Sequence, residues 1–215
     1  TRTAEDLFEL REYDEAIVVA TRVLNNQPQP NADLRRTALS VRADAEFTQA
    51  RFAEAEASYI ALAPLLAADP GERSRVSEQL AISIYRQGEA AREAGNAESA
   101  VAQFLRIGVA VPNASIRASA EYDAAAVLLE IEDWTGAARV LEGFRARYPQ
   151  HELLPDADKR LAIAYERDGN PARAAVTYAR ISERASETPD VRREAAWKAA
   201  TLHDEAGDRN AAAAR

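Results

Sequence analysis

The chain has 215 residues, 47% of them hydrophobic but only 7% aromatic, with a net charge of −8 and no cysteine. Lys and Arg are scattered, never more than two in a row, which argues against the basic stripe that a nucleic acid requires and gives no polybasic attraction to anionic lipid. Disulfides, thiolate chemistry and Cys-ligated zinc are excluded outright, and no apolar run approaches the ~20 residues that cross a bilayer.

Ala, Leu, Glu and Arg dominate and favour helix, while no alternating Val/Ile/Thr/Tyr run bounded by turns signals a strand. Apolar spacing predicts helices in pairs. Residues 2–10 and 13–26 form the first hairpin, 31–50 and 52–68 the second, 73–94 and 96–110 the third. The fourth is 114–131 and 134–148, the fifth 155–168 and 171–185, and the sixth 189–206 and 208–215, cut short. With connections, the units run 1–28, 31–70, 73–112, 114–149, 155–186 and 189–215, a single array. Asn31, Asn96, Asn113, Asp133 and Asn170 are read as N-caps, and Pro155, Pro171 and Pro189 as first helical residues. Gly95, Gly169 and Gly207 follow helices, where a left-handed residue costs least. Pro28, Pro70, Pro112 and Pro149 are read as markers near the ends of second helices. The chain lacks methionine and stops on AAAAR within a helical pattern, so it is expected to be part of a longer protein.

The unit Glu121–Pro149 repeats along the chain. Aligned on Ala137, its copies centre on Ala16, Ala55, Ala100, Ala174 and Ala212. Four residues on stand Ala20, Tyr59, Phe104, Leu141 and Tyr178, mostly large side chains that wedge between hairpins. Three residues before it stand Tyr13, Phe52, Ala97, Trp134, Pro171 and Arg209. The gap between Ala55 and Ala100 is the longest and marks an irregular hairpin with a long following helix. One such hairpin cannot bury its own apolar stripe and needs a copy on each side.

These residues resemble the tetratricopeptide (TPR) family, whose pattern is W-x2-L-G-x2-Y, then A-x3-F, then P, in about 34 residues. Ile84, Gly88, Ala91, Gly95, Ala100, Phe104 and Pro112 follow it, with Ile for Trp and Ala for Tyr, and Ala162, Tyr165, Gly169, Ala174 and Tyr178 follow it again. The resemblance implies an all-α solenoid of stacked helix-turn-helix hairpins winding into a right-handed superhelix, with first helices lining the inner wall. Arg147-Tyr148-Pro149 followed by Pro155-Asp156-Ala157 is similar to a bacterial repeat style. That style belongs to outer-membrane-assembly lipoproteins of the BamD kind and to the periplasmic Tol-Pal accessory protein. It implies a scaffold in a cell-envelope complex, periplasmic and outer-membrane-associated, with a cytoplasmic location as the alternative.

No catalytic or metal constellation is legible and no cofactor is expected. His151 and His203 are far apart, His203-Asp204-Glu205 points apart on a helix, and the glycines form no phosphate loop. Asn113-Ala114-Ser115 has the glycosylation spelling, but helix capping explains it more simply. The candidate site is the groove, where ligands meet a row of first-helix side chains. That row is Tyr85, Glu89 and Arg92; Tyr122, Ala126 and Leu129; Lys159, Ile163 and Glu166; Trp197, Thr201 and Asp204. Its aromatic members either anchor a peptide or pack ordinarily between helices. The carboxylate-clamp positions of some chaperone-binding relatives fall on Glu89, Ala126, Ile163 and Thr201, with no Asn, so a hydrophobic or mixed peptide is expected instead.

Three functions fit. The first is a non-enzymatic adaptor that holds a protein segment in the groove. The second is a spacer that self-associates through its ends into homo-oligomers. The third is a substrate-recruiting part of a larger enzyme.

Overall fold

The computed structural model of the protein describes residues 3–66 and 68–207. Among them are eleven α-helices and no strand. They are α1 (Ala4–Glu9), α2 (Tyr13–Leu24), α3 (Ala32–Thr48), α4 (Phe52–Leu62), α5 (Pro70–Glu93) and α6 (Ala97–Ala110). The rest are α7 (Arg117–Glu130), α8 (Trp134–Arg147), α9 (Leu154–Arg167), α10 (Pro171–Glu183) and α11 (Pro189–Glu205). The fold is an α-solenoid built from tandem helical hairpins. The expected helix 208–215, with Arg209 and Ala212, lies outside the described residues.

Each hairpin closes through the same joint. One residue at positive φ sits two positions before the second helix: Arg11, Ala50, Gly95, Glu132 and Gly169. Gly207 adopts the same conformation after α11. Only three of the six are glycine, so a composition signal finds half of the turns. Past that joint, the matched alanines have no exposed surface: Ala16, Ala55, Ala100, Ala137 and Ala174 are each at 0%. The large residue one turn later is buried as well, at Tyr59, Phe104, Leu141 and Tyr178. Small residues thus let helices approach, and the wedge fills the space beside them.

Asn31, Asn96, Asp133 and Asn170 each accept a backbone N–H at their helix starts, as the sequence suggests. Two expectations are corrected. Pro70 does not end a second helix: it opens α5, where a missing N–H costs nothing, and the Asp69 carboxylate accepts the Glu72 N–H at 3.0 Å. The preceding helix α4 ends at Leu62 and tightens into a 3-10 turn, Ala63–Leu66. Asn113 is not a cap either. It lies in an exposed turn ahead of α7, and Ser115 is held instead, its N–H and hydroxyl both donating to Glu78, the latter at 2.8 Å.

The chain divides into two compact units, residues 1–117 and 118–215. In the first, α2 packs on α3 and α4 on α5. Its core gathers Leu39, Tyr59, Leu62, Leu66 and Val76, with Leu7, Ala16 and Val41 nearer the N-terminus. In the second, α8 packs on α9 and α10 on α11. Here the fourth and fifth hairpins depart from the apolar repeat pattern. At the position held by buried Ile84 in α5 they carry Glu121 and Asp158, 4% and 1% exposed. Each is met from the end of its own hairpin, Glu121 by Arg147 at 2.6 Å and Asp158 by Arg184. Arg147 and Arg184 stand at the same distance along the repeat, so the ion pair is itself a repeated element.

Candidate functional site

Two cavities of the second unit are lined from α9, α10 and α11. Pro171 and Pro189 sit in the first turns of α10 and α11, with Asn170 and Thr188 accepting the next free N–H groups. Capping fixes where each helix begins, and so which residues line the space between α9 and α11. That space is a cavity of about 230 Å³. Tyr178, Ile181 and Ala195 form its buried floor, Ile163 and Val191 its apolar walls, and Lys159, Lys198 and Glu194 its rim. An adjoining cavity of about 340 Å³ is lined by Glu166, Pro171, Trp197, Lys198 and Thr201.

Both rim lysines are already neutralised. Lys159 pairs with Glu187 at 2.9 Å. Lys198 donates to Glu166 at 3.1 Å and to the Tyr178 hydroxyl at 3.2 Å, and its ammonium lies 5.0 Å from the Tyr178 ring centre. The Tyr178 hydroxyl donates to the same carboxylate at 2.9 Å. Burial pushes the Glu166 carboxyl up, but the bonds from Tyr178 and Lys198 outweigh it and hold it below the usual glutamate range. Burial and the bond to Glu166 raise the Tyr178 phenol despite the Lys198 bond.

The same three-part arrangement recurs. Tyr59 donates to Asp44 at 2.8 Å, and Arg75 from the next hairpin binds Asp44 at 3.1 Å. Tyr165 donates to Glu142, which Arg173 binds at 3.0 Å while lying 5.6 Å from the Tyr165 ring. Tyr122 donates to Asp156, which Arg160 binds at 2.6 Å, its guanidinium 4.9 Å from the Tyr122 ring. Each ties a ring, a carboxylate and a cation from two or three helices into one contact.

The groove row is thus distributed unevenly. Lys159 and Ile163 line the first cavity and Trp197 and Thr201 the second, with Lys198 common to both. Tyr122 is half-buried and engaged by Phe144, Asp156 and Arg160, and Leu129 is half-buried on the same helix, lining neither cavity. In the first unit, Tyr85 leans on Phe104 with centroids 5.2 Å apart, Glu89 accepts from Arg86 at 2.7 Å, and Arg92 is exposed. Ile163 and Trp197 remain open to solvent at 44% and 67%. Sequence reasoning missed Glu194 and Val191, which lie about one and two turns before Trp197 on α11. A row begun two turns earlier would have found them. The floor residues Tyr178 and Ile181 come from a second helix, and nothing in a first-helix pattern points to them.

Of the histidines, the His151 ring accepts the Leu153 N–H at 3.1 Å and packs on Phe144, and His203 is buried. Among the described residues no group of three or more His, Asp or Glu could hold a metal, and no helix is long and apolar enough to cross a membrane.

No protein-family model matches the chain, and no curated protein matches it. Solved structures do. A structure of Naa15/Naa10 bound to HypK-THB is similar over 95% of this chain and 28% of that one, with a TM-score of 0.51 at 19% identity. MamA 41-end from Desulfovibrio magneticus RS-1 is similar over 74% of this chain and 89% of that one, with a TM-score of 0.44 at 20% identity. The TPR-like repeats of a kinesin light chain from Podosopora anserina cover 83% of this chain and 90% of theirs, with a TM-score of 0.43 at 16% identity. The chain shares its fold, a tandem array of helical hairpins, with the Naa15/Naa10 structure.

Proposed function

We propose that the protein is a non-enzymatic interaction scaffold that holds a segment of a partner protein in the groove between α9 and α11. The observation that carries this reading is the cavity itself. It has an apolar floor and walls, a rim whose lysines are already paired, and an exposed tryptophan beside it. A buried apolar pocket ringed by polar groups suits an aliphatic anchor residue of a peptide. An envelope setting, periplasmic and outer-membrane-associated, belongs to the same reading and is supported by the Arg147-Tyr148-Pro149 and Pro155-Asp156-Ala157 spelling. Fractionation of cells expressing the full-length protein tests that part, and recovery with the cytosol removes it.

The groove is tested by selecting random peptides displayed on phage and titrating the winners calorimetrically. Ile163→Glu is expected to weaken binding by about tenfold or more, because it buries an unpaired charge in an apolar pocket. Val109→Ser, at an 84% exposed position of the other unit, is expected to change nothing. Equal affinity for wild type and Ile163→Glu would end the groove reading. A self-associating spacer is the second reading, favoured by the 67% exposure of Trp197. Light scattering across a concentration series separates them, since a mass that never rises leaves the spacer without support.

A further inference from the structure

We draw no further inference here: the strongest candidate, the cavity of about 320 Å³ between α1, α3 and the start of α5, with a buried apolar floor of Val41, Leu62 and Leu66, carries nothing because its rim presents both signs of charge, Glu5 and Arg36, and nothing in the structure shows what covers it.

Discussion

Gly88 sits where α5 passes closest to the Phe104 ring. A Cβ there would meet two ring carbons at 2.7 Å, and the ring is buried and cannot swing away. Gly88→Ala is expected to cost about 1–3 kcal/mol in urea denaturation, although alanine is the better helix former. The Glu121–Arg147 pair should respond asymmetrically, because the Glu121 side chain is 5% and the Arg147 side chain 43% exposed. Arg147→Met removes the cation facing a buried carboxylate and is expected to cost about 3 kcal/mol. Glu121→Leu frees an arginine that water still reaches and is expected to cost about 1 kcal/mol or less. The double variant should lie near the wild type, since an apolar pair replaces an ionic one much as Ile84 does in the third hairpin. A double variant as unstable as Arg147→Met alone would show that the site does not accept an apolar pair.

At the scale of the element, the hairpin joint and the ring–carboxylate–cation contacts decide behaviour. Gly95 has φ of 75° and nothing within 4 Å of an added Cβ, so Gly95→Ala isolates the backbone cost, about 1 kcal/mol. Ala50→Gly, at φ 57°, should do the reverse and raise the melting temperature slightly, the gain reduced by glycine's freedom in the unfolded chain. The carboxylates of these contacts, together with that of Glu56, which Arg106 and Gln87 hold, give an acid limb. Burial pushes Glu56, Asp156 and Glu166 up, but their hydrogen-bonded partners outweigh it, and all three sit below the ordinary 4.5 and 3.8. A lowered folded value means stability that is present above about pH 4.5 and lost as pH falls through the folded values. The phenols give an alkaline limb. Burial and the bond to Glu142 push Tyr165 up to about 12, and burial also raises Tyr59, Tyr122 and Tyr178. Above the ordinary 10.0 the unfolded chain ionises first, so stability is lost from there to the folded value. Thermal melts across pH should therefore fall off on both sides, and tyrosinate absorbance should lag behind free tyrosine until the chain unfolds.

For the molecule as a whole, a tandem array is stabilised by each hairpin and by its contacts with its neighbours. Within residues 1–117, a lesion at Gly88 should lower amide-exchange protection in α4–α6 more than in α1 and α2. Equal loss in every helix of that unit would mean that it opens only as a block.

The helices, their pairing and the repeat were legible in the sequence because they rest on local rules. Ala16, Ala55, Ala100, Ala137 and Ala174 recur where helices must approach closely, and each is completely buried. Turns written in glycine could be read, whereas Arg11, Ala50 and Glu132 could not, because neighbouring helices impose their positive φ against the residue's own preference. Pro70 was ambiguous for a related reason: proline neither continues a helix nor objects to starting one. The lining of the two cavities was half legible. Lys159, Ile163 and Trp197 follow from the register of first helices, but Tyr178 and Ile181 reach the cavity from α10, and only the packing of α10 against α11 brings them there. Which charges are spent and which remain open was decided by tertiary structure alone. Lys159 finds its partner in the loop after α10, Lys198 on another helix and Arg160 one turn along its own, and sequence spacing carries no record of contacts made across space. Chain chemistry determined a stack of helical hairpins; the packing of those hairpins determined which side chains are covered and which line cavities between α9, α10 and α11.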